Sequence, residues 1–216
     1  MIYHISRLII AIGLRLFTRR RVSGRDHIPP QGPLIVVANH LSAIDPPLVD
    51  SVLDRRPAFM AKEELFQSRL NSWFMRSLGA FPVSKGRPGR QALRQAMQAL
   101  TAGRPLVIFP EGMRSRNGQL KHALPGAALI AERSGAPILP VGISGTEKIK
   151  GLSWLWHRPR VTVNIGAAFT LPPNSGKLTR DGLARHSQFI MARIAGLLPP
   201  AYRGHYDTGR QHGSTD

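Results

Sequence analysis

The sequence predicts a single α/β domain whose mixed, largely parallel sheet is flanked by helices, preceded by an amphipathic amino-terminal helix at a membrane interface. Three observations carry this. Leu34-Ile35-Val36-Val37-Ala38 is a continuous apolar run rich in β-branched residues, which marks a strand buried on both faces rather than one half-exposed strand of alternating pattern. Further short apolar runs alternate with stretches whose apolar residues recur at helical spacing, as β–α units require. No repeat, linker or break in composition divides the 216 residues, and a hydrophobic content of 42% supports one core.

Taken in order, residues Met1 to Phe17 read as a helix. On a 100° wheel His4, Arg7, Ala11 and Arg15 form one narrow stripe, while Ile2, Tyr3, Ile5, Leu8, Ile9, Ile10, Ile12, Leu14, Leu16 and Phe17 cover most of the rest. A bilayer span takes about 20 predominantly apolar residues, and two arginines interrupt this segment. It is therefore expected to lie in the interface with its basic stripe toward headgroups. Arg19-Arg20-Arg21 follow, suited to anionic lipid at about 1 kcal/mol per cation near the surface. A secretory signal is disfavoured because no small-residue cleavage site follows the apolar stretch.

Residues 22–31 read as a polar turn segment leading into the 34–38 strand. A short helix over 47–53, a strand over 58–60 and an amphipathic helix over 63–78 come next, the last carrying Leu65, Phe66, Leu70, Trp73, Phe74 and Met75. Ala80-Phe81-Pro82-Val83 reads as a brief strand whose proline suggests an edge or bulge, and 86–89 as a turn. A helix over 90–102 closes on Gly103, a strand covers 105–109, a helix over 125–134 closes on Gly135, and a strand covers 138–143. Trp154-Leu155-Trp156 reads as an exposed aromatic patch, 160–165 as a strand and 178–198 as the last helix. The polar residues from Pro199 onward read as a disordered tail. The expected organisation is thus a membrane-associating helix (1–21), a catalytic domain (22–198) and a tail (199–216).

Composition limits the chemistry. The chain has no cysteine, which excludes disulfides, thiolate nucleophiles and Cys-ligated metals and permits a cytoplasmic setting. Thirty Lys and Arg against 12 Asp and Glu give a net charge of +18, which predicts attraction to an anionic surface or a phosphorylated substrate. The cations are spread along the chain and form no recognised nucleic-acid module, so a nucleic-acid partner is the remote alternative and none is expected.

The chemistry-bearing residues sit where apolar strands stop. The 34–38 strand ends on Asn39-His40, with Asp45 five residues after the histidine. In open α/β sheets ligands bind at the carboxyl edge of the strands. A histidine delivered there beside a carboxylate can act as general base, the carboxylate fixing its tautomer. That spacing alone is weak, since Asn39 or Asp45 would equally well cap the helix opening at Pro46-Pro47. A second strand ends on Phe109-Pro110-Glu111-Gly112-Met113-Arg114-Ser115, whose arginine suits bidentate binding of a phosphate. A third, Gly79 to Lys85, ends on a cation.

In this order and spacing, over residues 30–145, these blocks resemble the glycerophospholipid acyltransferase family, typified by 1-acyl-sn-glycerol-3-phosphate acyltransferases. Asn39 to Asp45 matches its first block, Gly79 to Lys85 its second, Phe109 to Ser115 its third and Ala136-Pro137-Ile138-Leu139-Pro140-Val141 its fourth. The resemblance implies transfer of an acyl group from acyl-CoA or acyl carrier protein to the free hydroxyl of a lysolipid, with that thioester as co-substrate and no other cofactor or metal. His40 would be the base and Asp45 its partner. Glu111, Gly112 and Arg114 would bind the acceptor's glycerol phosphate with Lys85 helping, Pro140 would belong to the acyl-donor region, and Asn39 and Ser115 would also be substrate-binding. Lysophosphatidic acid is the expected acceptor and the cytoplasmic face of the cell membrane the expected location, peripheral or monotopic. Two departures, Met113 for the family's threonine and Lys85 for its arginine, change how a phosphate is held and keep another lysolipid, such as lyso-ornithine lipid or a lysophospholipid, as an alternative acceptor.

Overall fold

The structure, a computed structural model, describes residues 2–83, 89–149, 151, 154–172 and 179–207. Helix α1 (Ile2–Phe17) is followed by strands β1 (Arg19–Ser23) and β2 (Leu34–Ala38), helix α2 (Asp45–Val52), strand β3 (Ala58–Lys62), helix α3 (Arg69–Ser77) and strand β4 (Ala80–Val83). Helix α4 (Arg90–Thr101), strand β5 (Pro105–Ile108), helix α5 (Gly126–Ser134) and strand β6 (Ile138–Ser144) continue the alternation. Helix α6 (Trp154–His157), strand β7 (Arg160–Ile165), helix α7 (Arg180–Ala195) and the single turn α8 (Pro200–Arg203) complete it. The seven strands form one sheet in the order β1-β7-β6-β2-β5-β3-β4.

Among the described strands β2 to β6 run parallel and β6 pairs with β7 antiparallel. The mixed, largely parallel sheet expected from the sequence is what forms. β2 lies at its centre and is buried at all five residues, which is why its sequence is apolar throughout. Its side chains alternate between two cores. Leu34, Val36 and Ala38 pack with Leu14 of α1 and Leu48, Val49 and Val52 of α2, while Ile35 and Val37 pack with Ala96 and Leu100 of α4, Ile130 of α5 and Ile190 and Ile194 of α7.

Several elements differ from the sequence reading. Residues 19–21 and the start of the expected polar turn form β1, an edge strand paired in parallel with β7; with three arginines and a half-exposed pattern it carries no apolar signal to read. Arg20 turns inward and donates to Ser51 Oγ at 2.9 Å. The single helix expected over 63–78 is a 3₁₀ turn over Glu63–Phe66 and then α3. Ser68 divides them, its hydroxyl accepting from Asn71 N–H at 3.1 Å as an N-cap. α7 is shorter than the expected 178–198 and begins after Thr179, whose Oγ1 accepts from Gly182 N–H.

The expected tail is also corrected. Residues 200–206 form α8 and a 3₁₀ turn, held by Tyr202: its carbonyl accepts from Leu120 N–H at 2.9 Å and its hydroxyl donates to Glu147 Oε1 at 2.8 Å. Two hydrogen bonds and burial of an aromatic ring against the 120–124 loop outweigh a polar composition. Residues 208–216 lie outside the described residues.

Helix α1 forms, and of the expected basic stripe His4 and Arg15 are exposed whereas Arg7 is drawn to α2. Tyr3 and Leu14 are buried, and Arg7, on the stripe assigned to headgroups, instead faces α2, donating to the Leu53 carbonyl and lying 3.9 Å from Asp50. Tyr3 donates to Asp50 Oδ1 at 2.7 Å. The outward face carries Ile5, Leu8, Ile9, Ile12 and Leu16. No helix among the described residues is long and apolar enough to cross a membrane.

The centre of the sheet is locked beyond its last rung by Asn39. Its Nδ2 donates to the Ile143 carbonyl at 2.8 Å, and its Oδ1 accepts from Ile143 N–H at 2.7 Å. The side-chain amide thus continues the β2–β6 ladder where the strand turns away. Asn39→Ala leaves both Ile143 groups without partners in a buried site, at about 1–3 kcal/mol each; a loss of about 2–4 kcal/mol in urea unfolding is expected.

Candidate active site

His40 stands just past the end of β2, at the carboxyl edge of the parallel strands. Its Nδ1 lies 2.8 Å from Asp45 Oδ2. Asp45 is the first residue of α2 and is completely buried. The same Oδ2 accepts from Leu41 N–H at 2.6 Å and Ser42 N–H at 2.7 Å, and Oδ1 accepts from Thr146 Oγ1 at 2.6 Å. An ionised carboxylate only accepts, so the imidazole proton belongs on Nδ1 and Nε2 is left as the acceptor. The ring stacks on Phe109, with centroids 4.3 Å apart and an interplanar angle of 26°, and the side chain remains 17% exposed. A half-buried, oriented imidazole whose distal nitrogen has no hydrogen-bond partner among the described residues is the geometry of a general base.

Glu111 joins the second cluster to the first. Its Oε1 accepts from the His40 backbone N–H at 2.9 Å and its Oε2 from Lys121 N–H at 3.0 Å. It is 3% exposed. Burial pushes its carboxyl up to about 7, against the two backbone N–H groups that favour the ionised form. Ser115 adds a second link, its N–H donating to the His40 carbonyl at 2.7 Å. The sequence premise that both clusters share one edge of the sheet is therefore met by direct hydrogen bonds.

The remaining predicted residues divide by where they stand. Gly112 has φ +66°, and a Cβ there would meet Leu124 Cδ1 at 2.4 Å, so the turn after Glu111 requires glycine. Arg114 follows on that turn with an exposed side chain, and its carbonyl accepts from Lys121 Nζ at 3.3 Å. Three residues assigned to substrate stand elsewhere. The amide of Asn39 is consumed by Ile143. The hydroxyl of Ser115 donates within its own turn, to Asn117 Oδ1 at 2.9 Å and the Gln119 carbonyl at 2.7 Å. Pro140 is a buried residue inside β6, in register with Val37. Asn39 meets buried backbone groups, Ser115 meets its own turn, and Pro140 is enclosed by the sheet. Lys85 lies outside the described residues. No cluster of three or more His, Asp or Glu suited to a metal ion occurs among the described residues.

Sequence reasoning missed Thr146 and Phe109. Thr146 lies one residue past the Ser144-Gly145 end of β6, and its position after a strand end was the signal available. Tyr202 braces both supports at once, through Leu120 beside the Lys121 loop and through Glu147 beside Thr146.

Comparison with known proteins gives the family. A family model described as Acyltransferase matches residues 19–144. The chain belongs to the acyltransferase family. It is 36% identical over 185 residues to the 1-acyl-sn-glycerol-3-phosphate acyltransferase of Streptococcus pneumoniae, covering 84% of this chain and 67% of that protein. It is 30% identical over 179 residues to the enzyme of the same name from Bacillus subtilis, covering 82% and 87%. The crystal structure of the 1-acyl-sn-glycerophosphate acyltransferase PlsC from Thermotoga maritima superposes with a TM-score of 0.64 at 28% identity, covering 88% of this chain and 78% of that one. The acyltransferase fold and the strand-end histidine thus coincide in one molecule.

Three outcomes are expected at this site. Asp45→Asn lowers kcat about 10²–10⁴-fold, because an amide in place of the carboxylate sets a donor among donors and releases the imidazole tautomer. Thr146→Val lowers it about tenfold, and steady-state kinetics show acceptor KM changing only a few-fold for both. For Glu111 the folded-state pKa exceeds the unfolded one, so the native state binds the extra proton between about pH 4.5 and 7. Its contribution to stability is full at lower pH and declines as pH rises toward 7, by on the order of 1–3 kcal/mol. Urea midpoints at pH 5 and pH 8 show this decline in the native chain and a smaller one in Glu111→Gln.

Proposed function

We propose that this chain acylates the free sn-2 hydroxyl of lysophosphatidic acid, drawing the acyl group from acyl-CoA or acyl carrier protein and releasing phosphatidic acid and the free thiol. The observation that carries the reading is the His40–Asp45 pair at the sheet edge, with Nδ1 committed at 2.8 Å and Nε2 without a hydrogen-bond partner among the described residues. Nε2 takes the hydroxyl proton as the acceptor oxygen attacks the thioester carbonyl. The tetrahedral intermediate collapses with expulsion of the thiolate, and the imidazolium returns its proton to that sulfur. Asp45 stabilises the transient imidazolium without itself being protonated.

Phosphate binding falls to the cations that the family blocks carry, Arg114 and Lys85, while Glu111 and Gly112 shape the turn that presents Arg114. The enzymes from S. pneumoniae and B. subtilis are named for the same acceptor, which supports lysophosphatidic acid over other lysolipids. The exposed Met113 on the acceptor turn is the reason to assay other lysolipids beside it. The outward apolar face of α1 and the net charge of +18 support peripheral docking on an anionic bilayer, on the cytoplasmic face where thioester donors occur.

The test supplies acyl-CoA and acyl carrier protein thioesters to lysophosphatidic acid, lyso-ornithine lipid and neutral lysophospholipids. Phosphatidic acid is the expected dominant product, and exclusive acylation of another lysolipid rejects the acceptor. His40→Ala is expected to lower kcat/KM at least about 10³-fold with unchanged far-UV circular dichroism.

A further inference from the structure

Among the described residues, every large apolar side chain left exposed, apart from Met113 and Leu124, belongs to α1, the 63–66 turn, α3 or α6. Much of this surface is not on α1. Leu70, Trp73 and Phe74 stand at i, i+3 and i+4 of α3, which is one row on a helix, and are 73%, 53% and 44% exposed. The inner side of α3 is held through Met75, which packs with Phe66 against the core shared with α2, yet no residue of α3 is fully buried. A surface helix of a water-facing domain places polar residues on the side away from the core; α3 places its largest apolar groups there.

α1 and α3 are joined by Arg56, whose guanidinium lies 4.4 Å over the Tyr3 ring and donates to the Ser77 carbonyl at 2.9 Å. The two helices are therefore fixed to one another at the start of the first and the end of the second. Neither contains an Asp or Glu. Exposed Arg15 and Arg19 flank the end of α1 and Arg69 and Arg76 the ends of α3, while Glu63 and Glu64 lie on the preceding turn. Apolar rows rimmed by cations complement an anionic bilayer, where the rows enter the acyl boundary and the guanidiniums meet headgroup phosphates.

We propose that α1 and α3 form one docking platform for an anionic bilayer, with Trp73 inserted at the headgroup boundary. This rests on the reading of α1 as an interfacial helix and adds a second insertion element to it. The platform fixes the depth and tilt of the catalytic domain through two points rather than one.

The chain contains three tryptophans, Trp73, Trp154 and Trp156, so the double variant Trp154→Phe/Trp156→Phe reports on Trp73 alone. With vesicles of phosphatidylglycerol and phosphatidylcholine carrying brominated acyl chains, Trp73 emission is expected to fall at least twofold and shift to the blue. Trp73→Glu is expected to weaken vesicle partitioning tenfold or more, with turnover of detergent-dispersed lysophosphatidic acid within twofold of the native chain. Unchanged Trp73 emission while the protein co-sediments overturns the proposal and leaves α1 docking intact. Full vesicle binding by Ile9→Glu removes α1 from the platform, overturning both the proposal and the reading beneath it, as does native protein that stays in the supernatant. A concentration-dependent dimer dissociated by Leu70→Glu, with Trp73 unquenched on vesicles, assigns the α3 face to a second copy and overturns the proposal.

Discussion

The carboxylate of Asp45 is completely buried and accepts from four donors: the His40 imidazole, the backbone N–H groups of Leu41 and Ser42, and the Thr146 hydroxyl. An unpaired charge at such a position would be strongly destabilising, and four charge-assisted hydrogen bonds offset the desolvation. This constraint orders much else. It closes the 39–45 turn, it anchors α2 at its amino terminus, and it requires the loop after β6 to bring Thr146 against the loop after β2. The imidazole is oriented because the carboxylate has no other arrangement that satisfies its oxygens.

The backbone of His40 is held as firmly as its ring. Glu111 takes its N–H and Ser115 donates to its carbonyl, so the turn after β5 is bonded to the residue it serves. A base must meet its substrate within a few tenths of an ångström, and here the peptide on each side of His40 is tied to a neighbouring strand end. The carboxyl-terminal segment extends this support, since Tyr202 contacts both the loop beside Lys121 and the turn beside Thr146. Buried polar groups at this edge are spent on positioning, while Arg114 on the turn after Glu111 stays exposed.

At the other end of the molecule α1 is seated on α2 by polar groups, Tyr3 and Arg7 on Asp50. Burial raises the Asp50 carboxyl pKa, and burial together with the Asp50 hydrogen bond raises that of the Tyr3 hydroxyl. The helix therefore turns Tyr3 and Arg7 inward beside the buried Leu14, and Ile5, Leu8, Ile9, Ile12 and Leu16 outward. Because α2 also begins with Asp45, the helix that presents an apolar face to the surroundings rests on the element that orients the His40 imidazole.

What the sequence determined by itself is local. A buried parallel strand announces itself by an unbroken apolar run, and α4 and α5 by apolar spacing and a closing glycine, because these patterns follow from the periods of strand and helix. The His40, Asp45 and Glu111 blocks were readable because they interrupt such runs with polar chemistry. Tertiary structure decided everything set by a partner rather than by a period. β1 is a strand only because β7 offers it an edge, 200–206 is ordered because Leu120 and Glu147 bind Tyr202, and Arg7 faces inward because Asp50 lies beneath it. For the same reason Asn39, Ser115 and Pro140, which stand among the acyltransferase blocks, belong to the fold: whether a polar side chain meets substrate or backbone depends on which unsatisfied group lies within 3 Å, and no one-dimensional spacing contains that distance.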